Sequence, residues 1–149
     1  MKIITDVEAA YIAGILDGEG CIAIHKKAVR KQHHNPTFLV HMDITNTSRD
    51  LLGWVRLTTG LGKILDKPRT KGWKACYKLF FIADEIKPLL ERVLPYMLVR
   101  RKQAELVLEF IGTIKYHGPA HPTTVDEYIQ KELIFEEIEE LNRRGDGSD

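Results

Sequence analysis

The sequence predicts an α+β fold with the element order α-β-β-α-β-β-α, followed by two further helices. Segments with helical spacing alternate with pairs of strand-like segments, and short turns join the members of each pair, which favours antiparallel hairpins. The chain has 149 residues, of which 44% are hydrophobic and 29% are charged, as expected for one globular domain. We therefore expect a single domain over residues 1–142, with helices on one side of a four-stranded antiparallel sheet, and a frayed tail over residues 143–149.

The first helix and the first hairpin follow from capping and from alternation. Thr5 and Glu8 have the spacing of a capping box, which predicts a helix over about residues 7–17. Gly18 and Gly20 end this helix, and apolar and polar residues alternate over residues 21–27, which predicts a strand. The alternation is clearest in the next predicted strand, over residues 37–45, where four apolar side chains share one face: Phe38, Val40, Met42 and Ile44.

The second helix and hairpin repeat this pattern. Ser48 can cap a helix that Gly60 and Gly62 end. A short strand is predicted over residues 63–67, a turn over residues 68–72, and a strand over residues 73–79 with one apolar and one basic face. The two hairpins should form one sheet whose open face is basic.

The last third of the chain is predicted to be helical. A third helix begins after Asp84, with Pro88 in its first turn, and Pro95 closes it. A fourth runs over about residues 100–115, and a linker over residues 117–122 leads to an acidic fifth. The last two helices are expected to bury the following side chains: Ala104, Val107, Leu108 and Ile111 in the fourth, and Ile134, Ile138 and Leu141 in the fifth.

Positive and negative charges are divided unevenly along the chain. Residues 1–125 carry 19 basic and 12 acidic side chains, whereas residues 126–149 carry 3 and 9. The basic residues cluster in residues 25–34 and 63–78, which together hold a single acid, Asp66. This asymmetry predicts a surface that faces a polyanion, with the acidic last helix directed elsewhere.

The composition also excludes several classes of protein. No apolar run approaches the roughly 18 residues of a membrane span, and Asp6, Glu8 and Asp17 interrupt the one candidate signal region. Cys21 and Cys76 are the two cysteines, which cannot form a disulfide framework. We expect an intracellular protein that is neither secreted nor membrane-bound and has no small-molecule substrate.

The first helix has no charged residue over residues 9–16, so both of its sides should be covered. Ala10, Gly14 and Gly18 recur every fourth residue and leave a flat strip, with Ala13 beside it. Small residues at this spacing let two helix backbones approach closely. The partner could be another helix of the same chain, but a second copy related by a two-fold axis is more economical. We predict a homodimer through this strip.

This helix ends in two acidic residues, Asp17 and Glu19, where the helix dipole disfavours carboxylates by about 0.3–1 kcal/mol each. Two symmetric Glu19 side chains about 5 Å apart would also repel by about 3 kcal/mol at an effective dielectric constant of about 20. A divalent cation would relieve both penalties, and carboxylate, carbonyl and water oxygens are the ligands of Mg²⁺. The alternative is a solvated helix end.

Residues 12–20, with the sequence IAGILDGEG, closely resemble the nine-residue signature motif of the LAGLIDADG homing endonucleases. The single copy of the motif resembles the homodimeric branch of this family. The predicted element order is also similar, as is the stretch over residues 84–107 with its IKP and KQA segments. The resemblance covers roughly the first three quarters of the chain.

The resemblance implies an intron-encoded endonuclease whose saddle-shaped dimer places two sheets in successive major grooves of a long, partly palindromic double-stranded DNA site. It implies that Glu19, with the carbonyl group of Gly18, holds the catalytic Mg²⁺, for which Mn²⁺ should substitute. The family more often has Asp at the position of Glu19. Asp17 matches the first acidic position of the motif, which is usually structural and belongs to the central helix interface with Ala10, Ala13 and Gly14.

The resemblance implies two further catalytic residues. Asn46, by its position in the second strand, resembles the polar residue that orders the nucleophilic water. Arg100, by its spacing after Pro95, resembles the basic residue near the phosphate, although Arg101 or Lys102 could take this role instead.

Polar side chains on the outer strand faces are the candidates for contact with DNA bases and phosphates. Alternation selects eight of them: His25, Lys27, Thr37, His41, Asp43, Thr45, Lys74 and Lys78. Lys63 belongs to the second basic cluster, and Arg30, Lys31 and Arg69 lie on predicted loops from which they could reach outer base pairs or the backbone.

Two alternative interpretations remain. Cys21, His25, His41 and Cys76 share a predicted sheet face and could bind zinc, although their spacing matches no zinc motif. The chain could also be a LAGLIDADG-like protein without cleavage activity, acting as an RNA splicing cofactor or a DNA-binding regulator. The presence of Glu19 favours the nuclease, because a binding protein has no need of the metal ligand.

Overall fold

The computed structural model describes residues 1–28, 37–114 and 123–144. Its helices and strands follow the predicted order, which confirms the α+β class. Their bounds are α1 Asp6–Glu19, β1 Gly20–Lys27, β2 Thr37–Asn46, α2 Arg49–Thr59, β3 Lys63–Asp66, β4 Tyr77–Phe81, α3 Ala83–Val93, α4 Arg101–Gly112 and α5 Val125–Arg144. A 3-10 turn over Leu94–Tyr96 follows α3. No helix in these segments combines the length and apolarity that a bilayer crossing requires.

The sheet has the strand order β1-β2-β4-β3, and all neighbouring strands are antiparallel. Its inner face is apolar and packs against the helices, with α4 and α5 on β1, α1 on β2, and α2 on β4. Six side chains of this face are almost completely buried: Ile22, Ile24, Met42, Ile44, Leu79 and Phe81. Because side chains alternate along a strand, the residues between them form the opposite, outer face.

Helix α1 divides into a buried and an exposed side. Its start confirms the capping box, since the Thr5 hydroxyl accepts a hydrogen bond from the Glu8 amide and the Glu8 carboxylate accepts one from the Thr5 amide. Ala9, Ile12, Ala13 and Leu16 are fully buried, whereas Ala10, Gly14 and Gly18 are exposed. The assignment of Ala13 to the dimer strip is therefore wrong: it lies one turn after Ala9 on the core side of the helix.

Strand β4 begins at Tyr77 instead of residue 73, so the predicted strand over residues 73–79 is wrong in its first half. Trp73 is 72% exposed, and Lys74 lies in the exposed loop before the strand. The partner strand explains this boundary. β3 ends at Asp66, so residues 73–76 have no strand opposite them to complete the ladder. A segment in which apolar and polar residues alternate does not form a strand unless another strand pairs with it.

The ends of the helices and their buried residues agree with the predictions in part. Ser48 and Gly60 cap and end α2 as predicted. Pro88 lies in the second turn of α3, not the first, because the helix begins at Ala83. In α4 the buried side chains include Leu106 and Phe110, which had not been predicted. Helix α5 buries Ile134 and Ile138 as predicted, and it continues through Arg144 into the predicted tail. The linker over residues 117–122 and residues 145–149 lie outside the described segments.

Candidate metal and nucleic-acid site

Asp17 joins the end of α1 to the start of α4. One of its carboxylate oxygens accepts a hydrogen bond from the Leu98 amide and the other from the Arg100 amide, both at 2.8 Å. Arg100 is the N-cap residue of α4, and its own side chain makes no capping hydrogen bond. Asp17 thus supplies a negative charge beside the N-terminus of α4, where the helix dipole favours it. This contact lies within one chain, and the placement of Asp17 at the interface between two copies stays a prediction.

Glu19 is the last residue of α1 and is exposed. Within the described segments its carboxylate has no hydrogen bond or ion pair, in contrast to that of Asp17. The final helical hydrogen bond runs from the Gly20 amide to the Leu16 carbonyl, so the Gly18 carbonyl that follows lacks a helical donor. A carboxylate and a free carbonyl at one helix end are hard oxygen donors, and this donor set fits Mg²⁺.

Gly20 sets the path of the chain from α1 into β1. A Cβ atom at this position would lie 2.5 Å from the Leu16 carbonyl oxygen, which is closer than real Cβ atoms approach. Only glycine therefore lets the backbone turn directly from the helix into the strand. This turn keeps Glu19 at the junction between the helix end and the outer face of the sheet.

The Arg100 side chain is held near the same junction. Its Nε atom is buried and is the one buried side-chain nitrogen or oxygen in the described segments without a hydrogen-bond partner. Burial raises the pKa of the Cys21 thiol, as does the Asp43 charge, and the positive charges of Arg100 and Lys78 oppose this shift. Arg100 thus acts electrostatically on the first residues of β1. Arg101 and Lys102 form ion pairs with Glu105 and Glu137 on the surface.

Asn46 is the last residue of β2, opposite Tyr77 of β4. Its side-chain oxygen accepts a hydrogen bond of 2.7 Å from the Ser48 amide, which shapes the turn into α2. Side chains alternate along a strand, so Asn46 shares the face of Met42 and Ile44. This is the face that packs against the helices, not the outer face. Its side-chain oxygen is thus used within the chain, and its side-chain amide nitrogen can donate hydrogen bonds to other groups.

The outer face brings five predicted DNA-contacting residues together, with Asp43 at the centre of the group. The Asp43 carboxylate lies 2.5 Å from His41 Nε2, 3.1 Å from Lys78 Nζ and 3.4 Å from the Thr45 hydroxyl. The ring of His25 packs edge-on against that of His41, with 4.7 Å between their centroids. Asp43 itself is only 4% exposed. It therefore lies on the outer face as predicted but is covered by its neighbours, which it orients, and its direct contact with DNA stays a prediction.

The charge of Asp43 is maintained by these neighbours. Burial raises the pKa of its carboxyl, but hydrogen bonds from His41 and Lys78, together with their positive charge, outweigh this and lower the pKa below its usual value. Asp43 is consequently ionised across the neutral range. Cys21, which lies directly opposite Asp43 in the β1–β2 register, also belongs to this cluster.

The remaining predicted DNA-contacting residues lie at the edges of the outer face or outside it. Lys27 and Thr37 are exposed cross-strand partners, and Lys63 is exposed opposite Phe80. Arg69 and Lys74 lie on the exposed loop between β3 and β4. Arg30 and Lys31 lie outside the described segments.

The predicted dimer strip is open in the single chain. A Cβ atom built on Gly14 or Gly18 meets no atom within 4 Å, so no helix of the described segments packs against it. The intramolecular alternative is therefore wrong for these residues. Two aromatic side chains extend the strip: Tyr11, which is 55% exposed, packs edge-on against Trp54 of α2 at a centroid distance of 5.1 Å. The small-residue spacing had given no sign of them.

No family model and no curated protein matches the sequence. The fold, in contrast, matches solved structures of homing endonucleases. It is similar to the archaeal intron-encoded homing endonuclease I-Vdi141I complexed with DNA, with a TM-score of 0.74 and 18% identity over 91% of this chain and 84% of that chain. It is also similar to the homing endonuclease I-CvuI in complex with the I-CreI target, with a TM-score of 0.73 and 20% identity over 91% and 82% of the two chains.

A third similar structure carries the family's name. It is the I-LtrWI LAGLIDADG homing endonuclease bound to target DNA, with a TM-score of 0.64 and 14% identity over 92% of this chain and 45% of that chain. At these identities the agreement concerns the fold. The chain therefore has both the signature-like segment at residues 12–20 and the fold that this segment led us to expect. The chain has the fold of the LAGLIDADG homing endonucleases.

Proposed function

We propose that this chain is a site-specific double-strand DNA endonuclease that acts as a homodimer and depends on a divalent cation, Mg²⁺ in the first place. The observation that carries the proposal is the different use of two neighbouring carboxylates. Asp17 is bound within the chain, whereas Glu19 is exposed beside a free carbonyl group at a helix end. An unpaired carboxylate at the negative end of a helix dipole is unfavourable by itself and favourable with a cation.

The dimer follows from the exposed side of α1. Two copies that pack through Ala10 and Gly14 around a two-fold axis along the helices bring both α1 C-termini to one junction. The two Glu19 carboxylates then face each other, and bound cations offset their repulsion. The dimeric junction thus supplies one carboxylate for each DNA strand.

The chain's own groups have separate tasks in phosphodiester hydrolysis. Glu19 and the Gly18 carbonyl would hold the cation, which when bound supplies charge stabilisation at the phosphate and lowers the pKa of a water. Arg100 would place positive charge near the phosphate. Asn46 retains an amide nitrogen that could orient a water molecule, since its oxygen is used by Ser48.

The outer face of the sheet would contact the DNA. His25, His41, Thr45 and Lys78 present polar atoms there, and the Asp43 carboxylate holds the last three in fixed positions. Polar side chains on strands in the major groove can distinguish base edges, whereas lysines and arginines on phosphates increase affinity. Two of the similar structures, I-CvuI and I-Vdi141I, are complexes with DNA, which supports DNA as the ligand of this fold.

The direct test is selection of cleaved molecules from a randomised duplex library with Mg²⁺. We expect the wild-type protein to enrich related, partly palindromic sites and the Glu19→Gln variant to enrich none. Selective binding of DNA or RNA by the wild type without any cleavage would contradict the proposal and support the non-cleaving alternative.

A further inference from the structure

We propose that Cys21, His41 and Asp43 form a second metal site, on the outer face of the sheet, which binds a thiophilic divalent cation such as Zn²⁺. This site uses other residues and another ligand chemistry than the Mg²⁺ site proposed at Glu19. It does not depend on cleavage activity.

The sheet itself brings the three ligands together. Cys21 and Asp43 are directly opposite each other in the β1–β2 register, and His41 lies two residues before Asp43 on the same face. Opposite and alternate positions on one face of an antiparallel pair are neighbours in space. One ligand atom from each residue lies within 4.8 Å of the other two.

Without a metal, the distances between these atoms range from 2.5 Å, between His41 Nε2 and an Asp43 carboxylate oxygen that share a hydrogen bond, to at most 4.8 Å within the group. A tetrahedral zinc ion with bonds of about 2.0–2.3 Å holds its ligand atoms about 3.3–3.8 Å apart. Metal binding therefore requires His41 Nε2 and the Asp43 oxygen to move apart by about 1 Å, which breaks their hydrogen bond, and the Cys21 sulfur to turn towards them. Cys21 is exposed and His41 is half-buried, so a cation can enter from the solvent.

The donor set selects the kind of metal. Sulfur and imidazole nitrogen favour Zn²⁺ or Co²⁺ over Mg²⁺, which takes oxygen ligands. Three protein ligands leave a fourth position for water. On binding, the Cys21 thiol loses its proton to solvent as the sulfur–metal bond forms, and His41 Nε2 likewise releases to solvent the proton that it shares with Asp43, so that a neutral ring binds the metal. Asp43 contributes its existing negative charge.

Lys78 competes with the metal. Its ammonium group lies 3.1 Å from the Asp43 carboxylate and supplies the positive charge that a cation would otherwise provide. Metal binding must turn this ammonium group towards solvent. The network around Asp43 therefore has two alternative states, one with Lys78 and one with the metal, and removal of Lys78 should favour the second.

The site can be tested with Co²⁺ on the full-length protein in the absence of DNA. We expect one Co²⁺ per chain, with the near-ultraviolet sulfur-to-cobalt charge-transfer band and the intense visible bands of tetrahedral coordination. Cys21→Ser should abolish the charge-transfer band. Cys76→Ser is the matched control and should retain it, because the Cys76 sulfur lies against the Asn46 carbonyl at 3.8 Å. Zn²⁺ should displace the Co²⁺, and excess Mg²⁺ should not.

The Lys78→Met variant tests the competition. We expect it to bind Co²⁺ at least about threefold more tightly than the wild type, with the same spectrum, and His41→Asn to weaken binding at least about tenfold. Circular dichroism identifies any variant that has failed to fold. The proposal would be overturned by the absence of the charge-transfer band in the wild type, by its persistence in folded Cys21→Ser, or by its loss in Cys76→Ser. Equal or weaker binding by Lys78→Met would overturn the competition with the metal.

Discussion

Asp17 and Glu19 lie two residues apart in the last turn of α1, but their carboxylates have different surroundings. On one side Asp17 accepts two backbone hydrogen bonds and joins α1 to the N-terminus of α4. On the other side Gly18 and Glu19 are exposed, and the Glu19 carboxylate has no bonding partner in the part of the chain that the structure describes. The first side serves the fold, and the second is left available for a ligand. Two acidic residues at one helix end thus have different surroundings, and substitution can separate their effects.

The largest expected effect is on the exposed side. Glu19→Gln should reduce cleavage with Mg²⁺ by more than about 100-fold, because even residues that only orient a metal ligand contribute about 10- to 100-fold. The substitution should leave the free energy of unfolding within about 0.5 kcal/mol of wild type, as for other surface positions. Single-turnover cleavage and urea unfolding measure the two quantities. Cleavage at the wild-type rate would show that Glu19 holds no metal.

The second effect concerns the exposed strip that ends at this turn. Gly14→Leu should weaken the dimer at least about 30-fold, since overpacking costs about 1–3 kcal/mol per inserted side chain and the dimer contains two. The monomer should not lose stability, because a Cβ atom at Gly14 meets nothing within 4 Å and glycine is unfavourable inside a helix.

Sedimentation equilibrium measures this change. Gly112→Leu, at the exposed end of α4, adds the same side chain in open space outside the strip and should leave the dimer intact. An unchanged dimer in Gly14→Leu would place the interface elsewhere.

The third effect is on the side of the turn that contacts α4. Asp17→Ala should lower the free energy of unfolding by about 1.5 kcal/mol, the contribution of a hydrogen bond to a charged group, because water replaces part of the loss at the exposed Leu98 amide. The measurement is the midpoint of urea unfolding of Asp17→Ala, compared with that of Glu19→Ala. Equal stability of the two variants would remove the distinction between the two carboxylates.

The smallest effect is a pH dependence on the outer face of the sheet. The pKa of Asp43 is lowered in the fold, so its contribution to stability is complete above the unfolded value near 3.8 and is lost as the pH falls through the lower folded pKa. Asp43→Asn should make the free energy of unfolding less dependent on pH in acid. Asp66→Asn, at the exposed end of β3, is the control. Identical acid slopes in wild type and Asp43→Asn would contradict the role of the network.

The sequence predicts the elements of this fold well where a local signal defines them. The capping box at Thr5, the left-handed Gly60 and the alternation over β2 each depend on neighbouring residues, and the structure confirms all three. The start of β4 was wrong because a strand needs a partner, and β3 is too short to pair with residues 73–76. Local patterns do not contain that information.

The candidate site was predictable only in part for the same reason. Glu19 and Asp17 stand out from their position at a helix end. Ala13 was assigned to the wrong side, since helical spacing alone does not give the rotation of a helix about its axis. Alternation had placed Cys21 and His41 on one predicted face as candidate zinc ligands, but the pairing of Cys21 with Asp43 depends on the register between β1 and β2, which is a tertiary property.

The proposed function requires that a divalent cation joins Glu19 to the DNA backbone at the dimer junction. A crystal structure of the dimer with its selected target and Mn²⁺ tests it through anomalous scattering. We predict manganese peaks within about 2.5 Å of the Glu19 carboxylate of each protomer and of a phosphate oxygen. Peaks at other positions only, with both glutamates pointing into solvent, would contradict the account.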